Sequence, residues 1–270
     1  MIDFRGTSRD SLANLRQQLS EGGASSAELG AELFAVATLL DGQPALRRAL
    51  TDSARTGDER AALAENLLRS QVSSAALGIV TAAAKLSWGK PRDIADAIEH
   101  VGVLAQVIAA ERAGRLDDVE DELFRFSRVV AADGELDRAL TDRAVPAEHR
   151  GELVRNLLAR KASPSTVGLV EQAVTAPRGL SLAEALENFG KIAADWRSRL
   201  VATVTTAVEL SASERDRLAA ALARQYGHEI HLNVVVDPHV IGGIRVEIGD
   251  ELIDGSIAGR LDDARRRLAG

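Results

Sequence analysis

Residues 230–257 read Ile-His-Leu-Asn-Val-Val-Val-Asp-Pro-His-Val-Ile-Gly-Gly-Ile-Arg-Val-Glu-Ile-Gly-Asp-Glu-Leu-Ile-Asp-Gly-Ser-Ile. Ile230, Leu232, Val234 and Val236 alternate with His231, Asn233 and Val235, the period of a half-buried strand, and Asp237-Pro238 stops the run. Gly242-Gly243 permits the positive dihedrals of a turn, after which Ile244, Val246 and Ile248 form the apolar face of a second strand. Gly249-Asp250 turns the chain toward a third short apolar piece at Leu252-Ile253. Asp254-Gly255-Ser256 then supplies a turn and a cap for a helix from Ile257 to Leu268. Just upstream, Val201 to Val208 reads as a strand that turns Val201, Thr203 or Val204, and Val208 inward. Ser211 with Glu214 forms a capping box for a helix reaching Tyr226-Gly227. Residues 203–270 are therefore expected to form a small α/β domain.

Everything before that domain carries helical spacing. Ser8 can cap a helix bearing Leu12, Leu15 and Leu19, closed by Gly22-Gly23. Helices follow over Ser26–Asp41, Pro44–Leu50, Asp58–Leu68 and Ser73 or Ser74–Leu86. The helix at 93–113 is unusual, because Val101, Val103, Leu104, Val107, Ile108 and intervening alanines run nearly all the way round it. Such a helix is buried on more than one side. By contrast, Leu182, Leu186, Phe189, Ala193, Trp196 and Leu200 form one stripe on the helix from Ser181.

The helical part repeats itself at a shift of 90 residues: Glu32-Leu33-Phe34 returns as Glu122-Leu123-Phe124, Ala49-Leu50-Thr51-Asp52 as Ala139-Leu140-Thr141-Asp142, and Asn66-Leu67-Leu68 as Asn156-Leu157-Leu158. Aligning Glu32–Ala84 with Glu122–Val174 without a gap gives 19 identities in 53 positions, more than shared helical composition produces, so the segment is a duplication. The expected fold is mainly α: two tandem six-helix-type bundles sharing a connecting helix at 93–113, followed by the small α/β C-terminal domain. The implied domains are 1–90, 91–202 and 203–270.

The ordered set Asp237, Gly242, Gly243, Gly249, Asp250, Ile253, Asp254, Gly255 and Ser256 resembles the C-terminal signature of the delta subunit of rotary F-type ATP synthases, the oligomycin-sensitivity-conferring protein family. The resemblance covers about the last 180 residues, leaving the first repeat as an extra bundle of the kind that actinobacterial forms carry. It implies a non-catalytic stator subunit with no cofactor and no metal, at the cytoplasmic face of the cell membrane. Its partners would be the N-terminal helices of the alpha subunits and the b subunits of the peripheral stalk. In the family an alpha N-terminal helix lies between the first and fifth helices of the helical domain. By position, Ile98, Val101, Ala105, Ile108, Val167, Val170 and Val174 would line that groove, while the C-terminal domain would hold b.

Composition narrows the alternatives. A net charge of −7 argues against a nucleic-acid surface, and the absence of cysteine removes disulfides, thiolate nucleophiles and cysteine metal sites. No apolar run approaches the roughly 20 residues that cross a bilayer, and the first residues lack a signal-peptide pattern, so the reading is a cytoplasmic chain without direct membrane insertion. His228, His231 and His239 lack ligand-type spacing. Gly242-Gly243 is followed by neither Lys-Ser nor Lys-Thr, and Asp250, Glu251 and Asp254 have no neighbour that would separate their pKa values. Arg265-Arg266-Arg267 either meets acidic b-subunit faces or complements the dipole of its helix. Gly78 and Gly168, placed alike in the two repeats, are read as permitting a close helix contact inside each bundle rather than a partner's approach. The rival readings are a helical adaptor unconnected with ATP synthase, or a ligand-binding protein or enzyme with a pocket between bundles.

Overall fold

The computed structural model describes residues 4–21, 26–199, 201–226, 230–238, 240, 242–249 and 251–254. The chain divides into two compact units, Met1–Ala193 and Ala194–Gly270. The first unit contains α1 (Thr7–Glu21), α2 (Ala27–Gly42), α3 (Pro44–Leu50), α4 (Gly57–Leu68), α5 (Ser74–Lys85), α6 (Asp93–Arg112), α7 (Leu116–Ala132), α8 (Gly134–Thr141), α9 (Ala147–Leu158) and α10 (Pro164–Thr175). α11 (Leu182–Arg199) starts in the first unit and ends in the second. Both repeats thus lie in one unit, whereas the sequence led us to expect a domain boundary near residue 90.

The start of each helix follows from local chemistry. Ser26, Ser73 and Ser163 accept hydrogen bonds from the backbone N–H groups of Leu29, Ala76 and Thr166, which would otherwise be orphaned at the helix N-termini. α4 begins one residue before the expected Asp58, because Thr56 and Glu59 form a reciprocal capping box. Ser8 does not cap α1. Its hydroxyl donates to Asp93 at 2.6 Å and accepts from the Gly89 N–H at 2.8 Å, tying α1 to the start of α6. Gly22-Gly23 lies outside the described residues.

The duplication extends to individual hydrogen bonds. The Ser73 N–H donates to Glu32 at 3.0 Å and the Ser163 N–H to Glu122 at 2.8 Å. Arg60 Nε donates to the Ala84 carbonyl at 2.7 Å, and Arg150 Nη1 to that of Val174 at 2.6 Å. Asp52 and Asp142 each accept from the N–H two residues on, at 2.9 Å in both cases. These bonds explain why the Thr-Asp, Arg and Ser positions return: each satisfies a helix end or a turn that the other repeat also has. In the first repeat Arg60 is the fuller hub, also reaching the carbonyls of Asp52, Arg55, Lys85 and Leu86.

α6 meets the expectation of burial all round: 15 of its 20 residues are buried, including Asp96, Glu99 and Gln106. It packs against α1, α2 and α5 of the first repeat and against α7 and α10 of the second. The approach to α2 is close. A Cβ on Gly102 would lie 2.8 Å from the Phe34 ring and 3.3 Å from the Gly30 carbonyl, so glycine is what lets these two backbones come together.

The second unit holds a four-stranded sheet in the order β2-β1-β3-β4, from β1 (Val201–Thr206), β2 (His231–Val236), β3 (Ile244–Ile248) and β4 (Glu251–Asp254), with α12 (Ala212–Tyr226) between β1 and β2. β1 pairs parallel with β2 and antiparallel with β3, and β3 pairs antiparallel with β4. A parallel pair needs a crossover longer than a hairpin, and α12 is that crossover. Its Leu218, Leu222 and Tyr226, spaced four apart, cover a core of Ala202, Val204, Ile230, Val246 and Ile248. In β1 the inward residues are Ala202, Val204 and Thr206, whereas Val201 and Val208 are exposed, contrary to the expected alternation. Val236 is also exposed, on the edge strand β2. The expected helix at 257–268 lies outside the described residues.

Candidate functional site

The sequence pointed to a groove between α6 and α10. Ile98, Val101, Ala105, Ile108, Val170 and Val174 are buried by the chain itself, and Val167 is half-buried. The covering element is α2, which contacts both α6 and α10. The three helices meet around Gln106, which is 2% exposed: its amide lies 2.8 Å from where a Cβ of Gly30 would stand and 2.9 Å from one on Gly168. Gln106 Nε2 donates to the Ala27 carbonyl at 2.9 Å. Gly168 is therefore in an internal contact, as its sequence position suggested. Gly78 is not, since a Cβ there would meet nothing within 4 Å. It opens instead onto a groove of about 440 Å³ between α4 and α5, lined by Ala61, Ala62, Ser74, Leu77 and Thr81.

A second concavity, of about 410 Å³, lies between α1, α6 and α11. Its walls are mainly apolar, from Phe4, Leu12, Val103, Phe189 and Ile192, and Arg9, Arg16 and Asn188 also line it. At its floor are Asp96, Glu99 and His100, the last meeting Phe4 edge-on at 6.5 Å between ring centres.

Those floor carboxylates belong to a buried ion cluster that the sequence reading missed. Arg178, 4% exposed at its side chain, pairs with Asp96 and, at 3.2 Å, with Glu99, and donates to the Ala95 carbonyl at 3.0 Å. Gln172 of α10 donates to Glu99 at 2.7 Å, and Arg92 donates to the Arg178 carbonyl at 3.0 Å. Burial pushes the carboxyl pKa values of Asp96 and Glu99 upward, and the Arg178 guanidinium opposes that rise at both. The arginine sits at φ +50°, in the left-handed region, followed by Gly179 at +90°. That turn aims its side chain back into the cluster. Its counterpart in the first repeat is Trp88, so repeat comparison gave no sign of it.

In the small domain Gly242, Gly243 and Gly249 have φ of 67°, 82° and 55°, so the glycines serve turns as expected. The Asp237 N–H donates to the Thr206 carbonyl at 2.8 Å, closing β2 onto the end of β1. Ile253 and Asp254 lie on the exposed edge strand β4, while Asp250, Gly255 and Ser256 lie outside the described residues. So do His228, His239 and the three arginines at 265–267; His231 is exposed on β2. The Tyr226 hydroxyl donates to Glu251 at 2.7 Å, and burial together with that carboxylate pushes its pKa up to about 12. Among the described residues no three His, Cys, Asp or Glu side chains come together in a metal-binding group, and no helix is long and apolar enough to cross a membrane.

Comparison with known proteins places this architecture. The family model "ATP synthase delta (OSCP) subunit" matches residues 104–268. The ATP synthase subunit delta of Streptomyces coelicolor is 47% identical over 273 residues, covering 100% of both chains. That of Streptomyces avermitilis is 49% identical over 268 residues, 98% of each. That of Thermobifida fusca is 45% identical over 269 residues, 99% of this chain and 100% of the relative. Among solved structures, a chain of the Toxoplasma gondii mitochondrial ATP synthase hexamer aligns over 62% of this chain and 95% of its own at 20% identity, with a TM-score of 0.32.

Proposed function

The chain belongs to the ATP synthase delta (OSCP) subunit family, and we propose that it acts as a non-catalytic stator link, holding the alpha subunits of the catalytic head to the b subunits of the peripheral stalk against rotor torque. The observation that carries this reading is the match to subunit delta relatives along the whole chain, first repeat included. A stator needs rigid elements and partner-facing surfaces rather than reacting groups. The first unit supplies rigidity through α6, whose burial by helices of both repeats makes the duplicated segment one body. On this reading the chain reaches the cytoplasmic face of the membrane only through its partners.

The alpha contact is helix-in-groove recognition, in which an amphipathic helix lays its apolar face into a groove. The face of α10 at Gly168 is taken by Gln106 and α2, so we place the contact on the repeat-equivalent face of α5, where Ser74, Leu77, Gly78 and Thr81 border the open groove. The b contact falls to the second unit, as the family resemblance implies. Two measurements test the assignment. In membranes solubilised with mild detergent the chain should migrate with the complete synthase; migration apart from it would leave the adaptor reading standing. A chain truncated after Leu200 should still capture the alpha N-terminal segment and lose b, and retention of b in a pull-down would refute the division of labour.

A further inference from the structure

We infer that the residues at 65 and 81 direct a partner helix to the first repeat: Glu65 and Thr81 leave the groove between α4 and α5 open, whereas their counterparts Arg155 and Glu171 bar the equivalent groove between α9 and α10 with an ion pair. The inference rests on the helix-in-groove reading of the alpha contact and names the side chains that select its place.

The 90-residue shift sets Ala61, Glu65, Thr81 and Lys85 against Gly151, Arg155, Glu171 and Thr175. In the second repeat Arg155 of α9 pairs with Glu171 of α10, so the bridge crosses from one helix to the other. Its carboxylate rests on the backbone of Gly151. A Cβ there would stand 2.9 Å from Glu171 Oε1, 3.3 Å from the Thr175 methyl and 3.5 Å from Arg155 Nη1, so glycine is what lets the bridge lie across the groove.

The first repeat lacks all of these provisions. Ala61 carries a methyl where the carboxylate would rest, Glu65 turns along its own helix to Arg69, and the Thr81 hydroxyl donates to the carbonyls of Leu77 and Gly78 at 2.8 and 3.0 Å. The space that a bridge would fill is the groove of about 440 Å³ onto which Gly78 opens. One pair does join α4 to α5, Lys85 with Asp58 at 2.9 Å, but Asp58 lies seven residues before Glu65, about 10 Å along α4, so this pair marks the end of the groove and not its middle. A helix entering between α4 and α5 displaces water. One entering between α9 and α10 has to break the bridge and leave two charges unpaired beneath an apolar face, a far larger cost than an exposed pair is worth by itself.

Calorimetry of the full chain with a peptide copying the N-terminal helix of its cognate alpha subunit tests this as a double-mutant cycle. The background is Ala61→Gly, which clears the seat for a carboxylate, and to it are added Glu65→Arg, Thr81→Glu, or both. Each addition by itself should leave the affinity within about threefold, because neither spans the groove alone. Together they transplant the bridge of the second repeat, and binding should weaken by about tenfold or more. General destabilisation does not produce such non-additivity, and neither does altered surface charge, since the net charge of the doubly changed chain lies between those of the two singly changed ones. Undiminished binding with both changes, or losses that merely add, would overturn the inference and leave the alpha contact standing. Failure of the unaltered chain to bind the peptide would remove the alpha contact itself, and this inference with it.

Discussion

Gly78 and Gly168 occupy the same place in the two repeats, yet replacing each by alanine is expected to move stability in opposite directions. Alanine gains about 0.8–1 kcal/mol over glycine in a helix interior, and this gain applies at both positions. At Gly78 nothing opposes it, since the new methyl meets no atom within 4 Å, and Gly78→Ala should stabilise the chain by about 1 kcal/mol. At Gly168 the methyl would stand 2.9 Å from Gln106 Nε2 and 3.3 Å from its Cδ. A free amide would swing away at little cost. This one is held, because the far side of the same group lies against Gly30 and Nε2 donates to the Ala27 carbonyl. Displacing it breaks a hydrogen bond of a buried amide, at about 1–3 kcal/mol, and crowds a packed junction, at about 1–3 kcal/mol. After the propensity gain, Gly168→Ala should destabilise by about 1–5 kcal/mol. Urea denaturation followed by far-ultraviolet circular dichroism reads the helical unit directly, and the two midpoints should move apart on either side of wild type. A comparable rise for both variants would refute the packing of Gln106 between α2 and α10.

Arg178→Met is expected to cost about 3–5 kcal/mol near neutral pH, because it leaves the buried Glu99 without its cation and Asp96 with only the half-exposed Arg92, at 3.7 Å. Burial already raises the pKa values of Asp96 and Glu99, and loss of the guanidinium raises them further. Groups with raised folded-state pKa values contribute stability that is lost as pH rises through those values, so the defect should shrink as pH falls toward 5; a loss equal at pH 7.5 and pH 5 by urea denaturation would contradict the cluster. Phe34 packs on Gly102 while its repeat-equivalent Phe124 is 67% exposed. Phe34→Ala should therefore destabilise by about 3–5 kcal/mol and Phe124→Ala should change stability by no more than about 0.5 kcal/mol, as thermal melts of the two variants would show.

Much of this protein was legible before any coordinates. Ser26 and Ser73 announce helix starts because a cap is a contact between neighbours in sequence, and the Gly242-Gly243 turn and the strand at Ile244–Ile248 are local in the same sense. The burial of α6 was readable because a helix without a polar face has no way to meet water. The repeat was readable because identity at a fixed shift needs no structure, and the signature around Asp237 and Gly242 led to the family.

Equivalence of sequence did not carry over to equivalence of surroundings. In the second repeat α2 lies against α6 and α10, whereas the equivalent face of α5 at Gly78 stays open. That single asymmetry buries Ile98, Val101 and Val170, encloses Gly168 and leaves Gly78 open. It is a fact about contacts between residues far apart in the chain, such as Phe34 with Gly102 and Gly30 with Gln106, which periodicity within one helix does not encode. The same holds for Ser8, diverted from capping to Asp93, and for Arg178, whose partners come from α6. It holds also for the place of β1 between β2 and β3, where alternation fixes which side chains share a face but pairing across the sheet fixes which face is buried. Most elements came from the sequence; which of their surfaces stayed open was decided by the packing of one repeat against the other.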